Sequence, residues 1–231
     1  MIKTIEKTPE KMIFEVDMGT SLANAIRRSV NEIPLFAIDE VDIYKNDSAL
    51  YDQIIAHRIG LIPLKNQKIS GKKIQLKLKA KGGEVLAGEL GKEVAFPEMS
   101  VVFLEKNQEL ELVARGKEGT SLEHTKFSPG LFYYRYIPKI EISPEGEKQS
   151  ELAELYPNVF EFVDGKLKVK NEWACTLDSE DVRDFKGISI KATKGLVMFI
   201  ESWGQIDAEE IFIRAIKALK NNLNELSKDL K

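Results

Sequence analysis

The stretch SLANAIRRSVNEIPLFAIDEVDIYKND, residues 21–47, predicts a helix that is followed directly by a strand. Its first half places apolar residues at helical spacing: Leu22, Ile26, Val30 and Ile33. Thr20 or Ser21 can accept hydrogen bonds from the first free amides of this helix. Pro34 ends it, because a proline lacks the backbone N–H that the next turn would need. The second half, LFAIDEVDIYK, alternates apolar and polar residues with one irregularity, which predicts a strand that carries a β-bulge.

The rest of the chain adds further strands and one short helix to this unit. Two segments, IKTIEKT (2–8) and MIFEVDM (12–18), predict an N-terminal β-hairpin, and residues 51–58 predict a short helix before Gly60. Between residues 72 and 140 the pattern predicts short strands separated by Gly-rich or polar turns: KIQLKLKAK, MSVVFLEK and LELVARG. Strand character returns over residues 187–203. The predicted fold class is α+β.

A predicted terminal helix carries an apolar seam of the heptad kind. Its members alternate spacings of four and three residues: Phe212, Ile216, Leu219, Leu223, Leu226 and Leu230. Asp207 and Glu210 before the seam have the D-x-x-E arrangement of a capping box. From the seam alone two interpretations stay open. The helix either covers the chain's own sheet, as ordinary amphipathic helices do, or pairs with another molecule.

Composition and charge indicate an ordinary globular protein. Hydrophobic residues make up 43% and charged residues 31% of the chain, as in proteins that bury a core. With 34 Lys and Arg against 37 Asp and Glu, no overall positive field attracts a phosphate backbone, so we expect no direct specific binding of nucleic acid. The single cysteine excludes an internal disulfide, the N-terminus lacks a signal-peptide core, and no apolar run reaches the ~18 residues of a membrane span. We expect a cytoplasmic protein without a membrane role.

Motifs of catalysis are absent from the sequence. His57 and His124 belong to no H-x-x-H or H-E-x-x-H arrangement that would fix a metal on one helical face. The glycines form neither a phosphate-binding loop nor a dinucleotide fingerprint. Paired carboxylates such as Asp39 with Glu40 are explained by solvation. We therefore expect no catalytic site, no metal site and no cofactor on this chain.

One segment has the spacing of an iron–sulfur site without its ligands. In NEWACTLDSEDVRDFKG, residues 171–187, four residues stand at C-x2-C-x2-C-x3-C spacing: Cys175, Asp178, Asp181 and Phe185. Upstream, Tyr156 precedes Pro157 where a second ferredoxin-like half would carry cysteine. A cluster needs soft thiolate ligands, which these positions lack. We predict a degenerate ferredoxin-like module without a cluster, in which Cys175 is a buried small hydrophobe. An acidic loop that matches by chance is the alternative.

Four segments together resemble a known family. The unit with Asn24, Arg27 and Arg28 is similar to the N-x-x-R-R helix that leads into I-P and a strand in the α-like subunits of multisubunit RNA polymerases. AHRIGLIPL (56–64) looks like the A-x-R-x-G-x-I-P signature of their archaeal and eukaryotic branch. LVARGKEGTSLEHTKFSP (112–129) looks like the A-x-K-G-x-G-K-E-H-A-K-W-S-P stretch, with Phe127 in place of Trp. The degenerate ferredoxin-like segment is the fourth match, and the modest length favours the archaeal D subunits over longer eukaryotic relatives.

The resemblance implies a division into parts and a role. It implies a discontinuous α-like dimerisation domain of residues 1–46 and 186–231, an inserted mostly β domain of residues 47–149, and the degenerate module of residues 150–185. It also implies a non-catalytic assembly subunit of an archaeal DNA-directed RNA polymerase that forms a heterodimer with small subunit L. Small subunits N and P and the second-largest catalytic subunit would dock on that platform, and the metal-assisted phosphoryl chemistry belongs to the largest subunit.

Contact residues are also implied by the resemblance. The residues that contact subunit L would be two apolar residues of the first helix and the seam of the terminal helix. They are Leu22, Ile26, Phe212, Ile216, Leu219, Leu223, Leu226 and Leu230. Those toward the large subunit would be Arg27, Arg28, His57 and Arg58. Consecutive arginines on a helix cannot both face one core, so at least one should meet carboxylates or carbonyls of a partner or form a local salt bridge. The alternative function is a self-pairing homodimeric binding or scaffold protein outside transcription. An electron-transfer protein is disfavoured by the missing cysteines.

Overall fold

The computed structural model of this chain describes residues 2–66 and 74–230. Within them the chain forms nine β-strands: β1 Ile2–Lys7, β2 Lys11–Val16, β3 Leu35–Asn46, β4 Ile74–Leu86, β5 Ser100–Gly119, β6 Gly130–Ile142, β7 Phe160–Val163, β8 Lys166–Val169 and β9 Ile188–Ser202. The same residues form four α-helices: α1 Thr20–Ser29, α2 Asp52–Gly60, α3 Ser150–Leu155 and α4 Ala208–Asp229. Short 3-10 turns lie at Val30–Glu32, Ala87–Leu90, Thr125–Phe127, Gly146–Lys148 and Glu172–Ala174. This mixture confirms the predicted α+β class.

The described strands form three sheets. Their strand orders are β1-β2-β9-β6, β3-β5-β4 and β7-β8. The chain divides into two compact units. The first unit contains the described residues of Met1–Glu6, Ile13–Thr20 and Tyr133–Phe199, and the second those of Lys7–Met12, Ser21–Phe132 and Ile200–Lys231. The predicted division into a discontinuous dimerisation domain, an insert and a degenerate module stays a prediction.

The three-stranded sheet of the second unit follows directly from its sequence pattern. In β4, the apolar residues Ile74, Leu76, Leu78 and Ala80 are buried and the intervening residues are exposed. Alternate side chains of a strand point to opposite faces, so this pattern gives one face in the core and one face exposed to solvent. Ile55 and Ile59 of α2 are fully buried in the same hydrophobic core. The lysine that begins the predicted strand, Lys73, lies outside the described residues.

Two strands predicted as separate are one continuous strand. LELVARG and all of MSVVFLEK except Met99 belong to β5, which runs for 20 residues. Its register against β4 shifts between Lys81 and Gly83, so residues 105–108 stand opposite the single Gly82. Gly82 and Gly83 have φ values of +59° and +90°, a region that side chains with a Cβ rarely adopt. The predicted turn is therefore a bulge inside a strand, because the glycine pair lets β4 keep pairing beyond it.

Most local predictions near the N-terminus are confirmed. β1 and β2 are neighbours, and Thr8 N donates to Lys11 O across their turn at 2.8 Å. Helix α1 ends before Pro34, and β3 carries register shifts, the first between Ile38 and Glu40. Helix α2 and the late strand β9 also lie where the sequence predicts them.

The first unit contains a hydrophobic core around the predicted degenerate module. Its buried members come from four strands, a helix and two loops: Ile140, Leu152, Val159, Phe160, Leu167, Cys175, Val182 and Ile190. Strands β7 and β8 form a hairpin through Asp164 and Gly165, whose φ values are +55° and +74°, as a tight Asp-Gly turn requires. This segment is therefore a packed part of the fold.

Candidate protein–protein interface

The first turns of α4 anchor this helix to the second unit. Ala208, Ile211, Phe212 and Ala215 are buried. The Phe212 ring meets Phe132 edge-on, with 6.1 Å between ring centroids, an arrangement that aromatic quadrupoles favour. These contacts hold the helix by its N-terminal half.

The C-terminal half of α4 leaves its apolar seam uncovered by the described residues. Exposed fractions are 41% for Ile216, 58% for Leu223, 56% for Leu226 and 80% for Leu230, and Leu219 is half-buried. Packing within the described chain thus accounts fully only for Phe212 among the seam residues. Covering exposed apolar surface is favourable by about 25 cal/mol per Å², so the rest of the seam suits contact with another molecule.

The capping box predicted for α4 is wrong. Asp207 is the N-cap residue, but its side chain makes no capping hydrogen bond. Glu210 accepts instead from Arg214, whose Nε lies 2.9 Å from Glu210 Oε1. An arginine four residues later on the same face gives this carboxylate a charged partner. The D-x-x-E pattern identified the start of the helix without describing its hydrogen bonds.

Helices α1 and α4 both contribute to one region of the second unit. Asn222 Nδ2 of α4 donates to Glu32 Oε2 at 2.5 Å, just beyond the end of α1. In α1, Leu22 is 49% exposed and Ile26 is 4% exposed. Leu22 can therefore meet a partner directly, whereas Ile26 supports the helix from the core side.

The two arginines of α1 differ in their surroundings. Arg27 donates from Nε and Nη2 to Asn24 Oδ1, at 3.1 and 2.9 Å. Its local partner is thus an amide rather than the carboxylate of a salt bridge. The Arg28 side chain is exposed and makes no hydrogen bond or ion pair within residues 2–66 and 74–230. Of the two arginines, Arg28 offers the whole of its guanidinium group to a partner.

His57 and Arg58 lie next to each other on α2 but have different contacts. Arg58 Nη1 donates to Val101 O at 2.5 Å, which ties α2 to β5 inside the second unit. The His57 side chain is exposed. Of this pair, His57 is the residue more available to a partner.

The positions with iron–sulfur spacing serve the fold of the first unit. Cys175 is 2% exposed, and burial raises the pKa of its thiol above the ordinary value. Asp178 and Asp181 close a turn on each other: Asp181 Oδ2 accepts from Asp178 N at 2.9 Å, and Asp178 Oδ1 accepts from Asp181 N at 3.1 Å. Phe185 is half-buried and packs against the core. One buried thiol with two carboxylates does not fit a cluster that needs soft thiolates.

Two general features bear on the kind of site. Over the described ranges 2–66 and 74–230, no three His, Cys, Asp or Glu side chains are grouped so that they could hold a metal ion. None of the helices in those ranges combines the length and the apolar character needed to cross a membrane.

Two exposed apolar residues, one in α4 and one shortly before it, were not predicted from the sequence. Ile213 is 57% exposed, but a seam spaced by four and three passes over it because it directly follows Phe212. Trp203 is 45% exposed between β9 and α4. Tryptophan is enriched in protein interfaces. A tryptophan between a predicted strand and a predicted helix could therefore have been predicted to be an interface residue.

Comparison with known proteins relates this geometry to one family. A sequence model of the RNA polymerase Rpb3/Rpb11 dimerisation domain matches residues 12–223. DNA-directed RNA polymerase subunit Rpo3 of Thermococcus kodakarensis is 34% identical, over 98% of this chain and 97% of that protein. Rpo3 of Pyrococcus horikoshii is 36% identical, over 67% of this chain and 66% of that protein. DNA-directed RNA polymerases I and III subunit rpac1 of Dictyostelium discoideum is 28% identical, over 96% of this chain and 79% of that protein.

Proposed function

The chain belongs to the RNA polymerase Rpb3/Rpb11 dimerisation-domain family, and from this premise we propose that it is a non-catalytic assembly subunit of an archaeal DNA-directed RNA polymerase. The similarity to Rpo3 subunits along nearly the whole chain supports the assignment to a polymerase. The same proposal locates the protein in the cytoplasm. It assigns catalysis to other subunits and architecture to this one.

The proposed partner in a heterodimer is subunit L. The observation that carries this proposal is the seam of α4, in which Leu223, Leu226 and Leu230 are exposed although the first turns of the same helix are buried. A permanent pair of subunits commonly buries more than about 2,000 Å² with an apolar centre. Leu219, Leu223 and Leu226, together with Leu22 of α1, supply apolar surface of that kind.

Co-expression with an archaeal subunit L tests the pairing. We expect gel filtration with light scattering to give a one-to-one complex. Replacing Leu219 and Leu223 with Asp should abolish it, because each carboxylate would have to lose its water in an apolar contact.

The matched control carries the same two charges outside the seam. Asn221→Asp with Asn224→Asp alters exposed polar positions of the same helix and should leave the complex intact. A homodimer of the lone chain that ignores L would favour the alternative, a self-pairing scaffold protein. A monomer indifferent to L would contradict both.

Docking of subunits N and P and of the second-largest catalytic subunit is a further part of the proposal. Arg28 and His57 are exposed side chains that suit such contacts, since the Arg28 guanidinium has donors to offer to carboxylates or carbonyls. Arg28→Glu should weaken addition of these subunits to a preformed heterodimer with L while leaving that heterodimer intact. Unchanged addition would remove Arg28 from the docking surface.

The final part of the proposal is that the degenerate module carries no iron–sulfur cluster. The supporting observation is the use of Asp178 and Asp181 as turn acceptors beside a single buried thiol. Protein purified without oxygen should be colourless and contain no stoichiometric iron or sulfide. A brown sample with thiolate-to-iron absorption would contradict this part and leave the assembly role untouched.

A further inference from the structure

A cavity of about 370 Å³ lies in the first unit, beside the segment with iron–sulfur spacing. Strand β6 forms one wall, strand β9 forms another, and the loop of residues 175–179 forms a third. Cavities that bind small ligands in proteins begin at about 300 Å³, so this one has room for a ligand of few atoms. None of its lining residues belongs to the surfaces proposed to meet other subunits. The assembly role therefore leaves the cavity without an occupant.

Arg135 brings a cation to this cavity without an anionic partner. Its Nη2 donates to Trp173 O at 2.7 Å, and its Cζ lies 4.8 Å from the centre of the Phe199 ring. These two contacts fix the plane of the guanidinium group. The side chain makes no ion pair with the described residues, and Nη1 has no hydrogen-bond partner among them although, unlike Nε, it is not buried. A half-buried guanidinium group with a free donor gains from an anion that accepts from it.

Asp178 brings a carboxylate to the same cavity. Its Oδ1 accepts from Glu180 N at 2.7 Å and from Asp181 N at 3.1 Å. Its Oδ2 has no hydrogen-bond partner among the described residues. Asp178 and Arg135 form no ion pair with each other, so each can still meet a charge of a ligand. Asp178 would repel a simple anion and Arg135 a simple cation, which favours a ligand that carries both charges.

Apolar side chains form much of the remaining wall. Leu177 and Ile190 belong to the hydrophobic core of the first unit, and Pro138 and Ala192 also line the cavity. Burial raises the pKa of the Cys175 thiol, so this lining residue is neutral near pH 7 and supplies no counter-charge for the arginine. Apolar walls with a few polar groups are typical of small-molecule sites. They favour a ligand that has a hydrocarbon group beside its charges.

We propose that this cavity binds a free α-amino acid with an apolar side chain. The α-carboxylate accepts from Arg135 Nη1, the α-ammonium group donates to Asp178 Oδ2, and the hydrocarbon side chain packs on Leu177 and Ile190. Each charge of the ligand then meets an opposite charge of the protein. This inference goes beyond the assembly role and does not depend on subunit L.

Titration of the full chain with L-leucine tests the occupant. We expect saturable binding at one site, with changes in the methyl NMR signals of Leu177 and Ile190. Three analogues each lack one part of leucine: 4-methylpentanoate lacks the ammonium group, 3-methylbutylamine lacks the carboxylate, and glycine lacks the hydrocarbon. Each should bind at least about tenfold more weakly, because one group of the cavity is left without its contact. Equal binding of any analogue, or unchanged Leu177 and Ile190 signals at saturating leucine, would overturn the proposal.

Two variants supply a second measurement. Arg135→Met keeps an unbranched side chain against Phe199 without the charge, and it should weaken leucine binding at least about tenfold. Arg183→Met removes an exposed arginine of the same unit and should leave the affinity unchanged. Ala192 is exposed, so Ala192→Trp should fill the cavity from outside and block leucine with Arg135 intact.

Thermal unfolding shows whether each variant is folded. If Arg135→Met is folded, wild-type affinity in this variant would overturn the proposal. If it is unfolded, Ala192→Trp decides, and wild-type affinity in that variant would overturn the proposal instead.

Discussion

At the scale of single residues, Glu109 shows how ion pairs join the three strands of the β3-β5-β4 sheet. It lies on the central strand and meets Lys45 of β3 at 2.7 Å and Lys81 of β4 at 2.8 Å. Their hydrogen bonds and charges lower the pKa of Glu109 from 4.5 to about 2. Similar pairs, such as Lys79 with Glu111 at 3.0 Å, continue along this face.

The pKa of Glu109 predicts a specific pH dependence of stability. A carboxyl group whose pKa is lower in the folded chain stabilises it fully above the unfolded pKa, and this contribution is lost as the pH falls from about 4.5 to about 2. Glu109→Gln should therefore be less stable than wild type near neutral pH, and the difference should shrink over that window. Urea unfolding at a series of pH values measures it. Glu118→Gln, at an exposed position without an ion pair among the described residues, is the control, and a pH-independent difference for Glu109→Gln would contradict the prediction.

Gly130 is required by a close backbone approach. A Cβ at this position would overlap the carbonyl oxygen of Glu201 and lie 3.1 Å from Ile211 Cδ1. We expect Gly130→Ala to lower the free energy of unfolding by about 3 kcal/mol, because a packed core resists added volume. Gly19→Ala is the control, since no atom lies within 4 Å of its added Cβ. Equal denaturant midpoints for the two variants would show that the backbone can shift to accommodate the added Cβ.

At the scale of elements, the two halves of α4 should respond oppositely to truncation of a side chain. Ile211 is fully buried and Leu226 is 56% exposed. In the isolated chain, Ile211→Ala should cost about 2–5 kcal/mol by leaving a cavity, and Leu226→Ala should change stability by less than about 0.5 kcal/mol. For binding to subunit L the order should reverse, with Leu226→Ala weakening the complex. Thermal unfolding measures the effect of each variant on stability, and titration calorimetry measures its effect on binding to L. A large loss of stability in Leu226→Ala would mean that the seam stabilises its own chain.

The elements also show which features local sequence patterns predicted and which they did not. The spacing of apolar residues predicted α1 and α4, since one helix face is a local property of the sequence. The bulge opposite Gly82 was predicted as a turn between two strands, because polar residues 105–108 have turn composition and their pairing partner is distant in sequence. Glu210 was assigned to a cap for a related reason: a short motif does not reveal that Arg214 competes for the same carboxylate.

At the scale of the whole molecule, the last turns of α4 contribute no buried residue to the core of either unit. Every residue of α4 from Lys220 onward is exposed. A chain that ends after Lys220 should therefore unfold cooperatively with Tm within about 4 °C of the full chain, since mainly exposed side chains are lost. The same truncation should abolish pairing with subunit L. Calorimetry and light scattering measure both, and loss of a cooperative transition would contradict the assignment of this segment to a partner.

The sequence by itself determined the α+β class, the helix–strand unit of residues 21–47, the terminal seam and the resemblance to polymerase α-like subunits. These features depend on residues close together in the chain, where periodicity and motif order carry the information. Only the tertiary structure decided that most of the seam beyond Phe212 is exposed. It also decided that the Arg27 and Arg58 side chains have hydrogen-bond partners in their own unit, whereas the Arg28 side chain has none among the described residues. It decided as well that Gln205 Oε1 is buried without a donor among those residues. Each of these depends on residues that are distant in sequence and meet only when the chain folds, so no local pattern could reveal them.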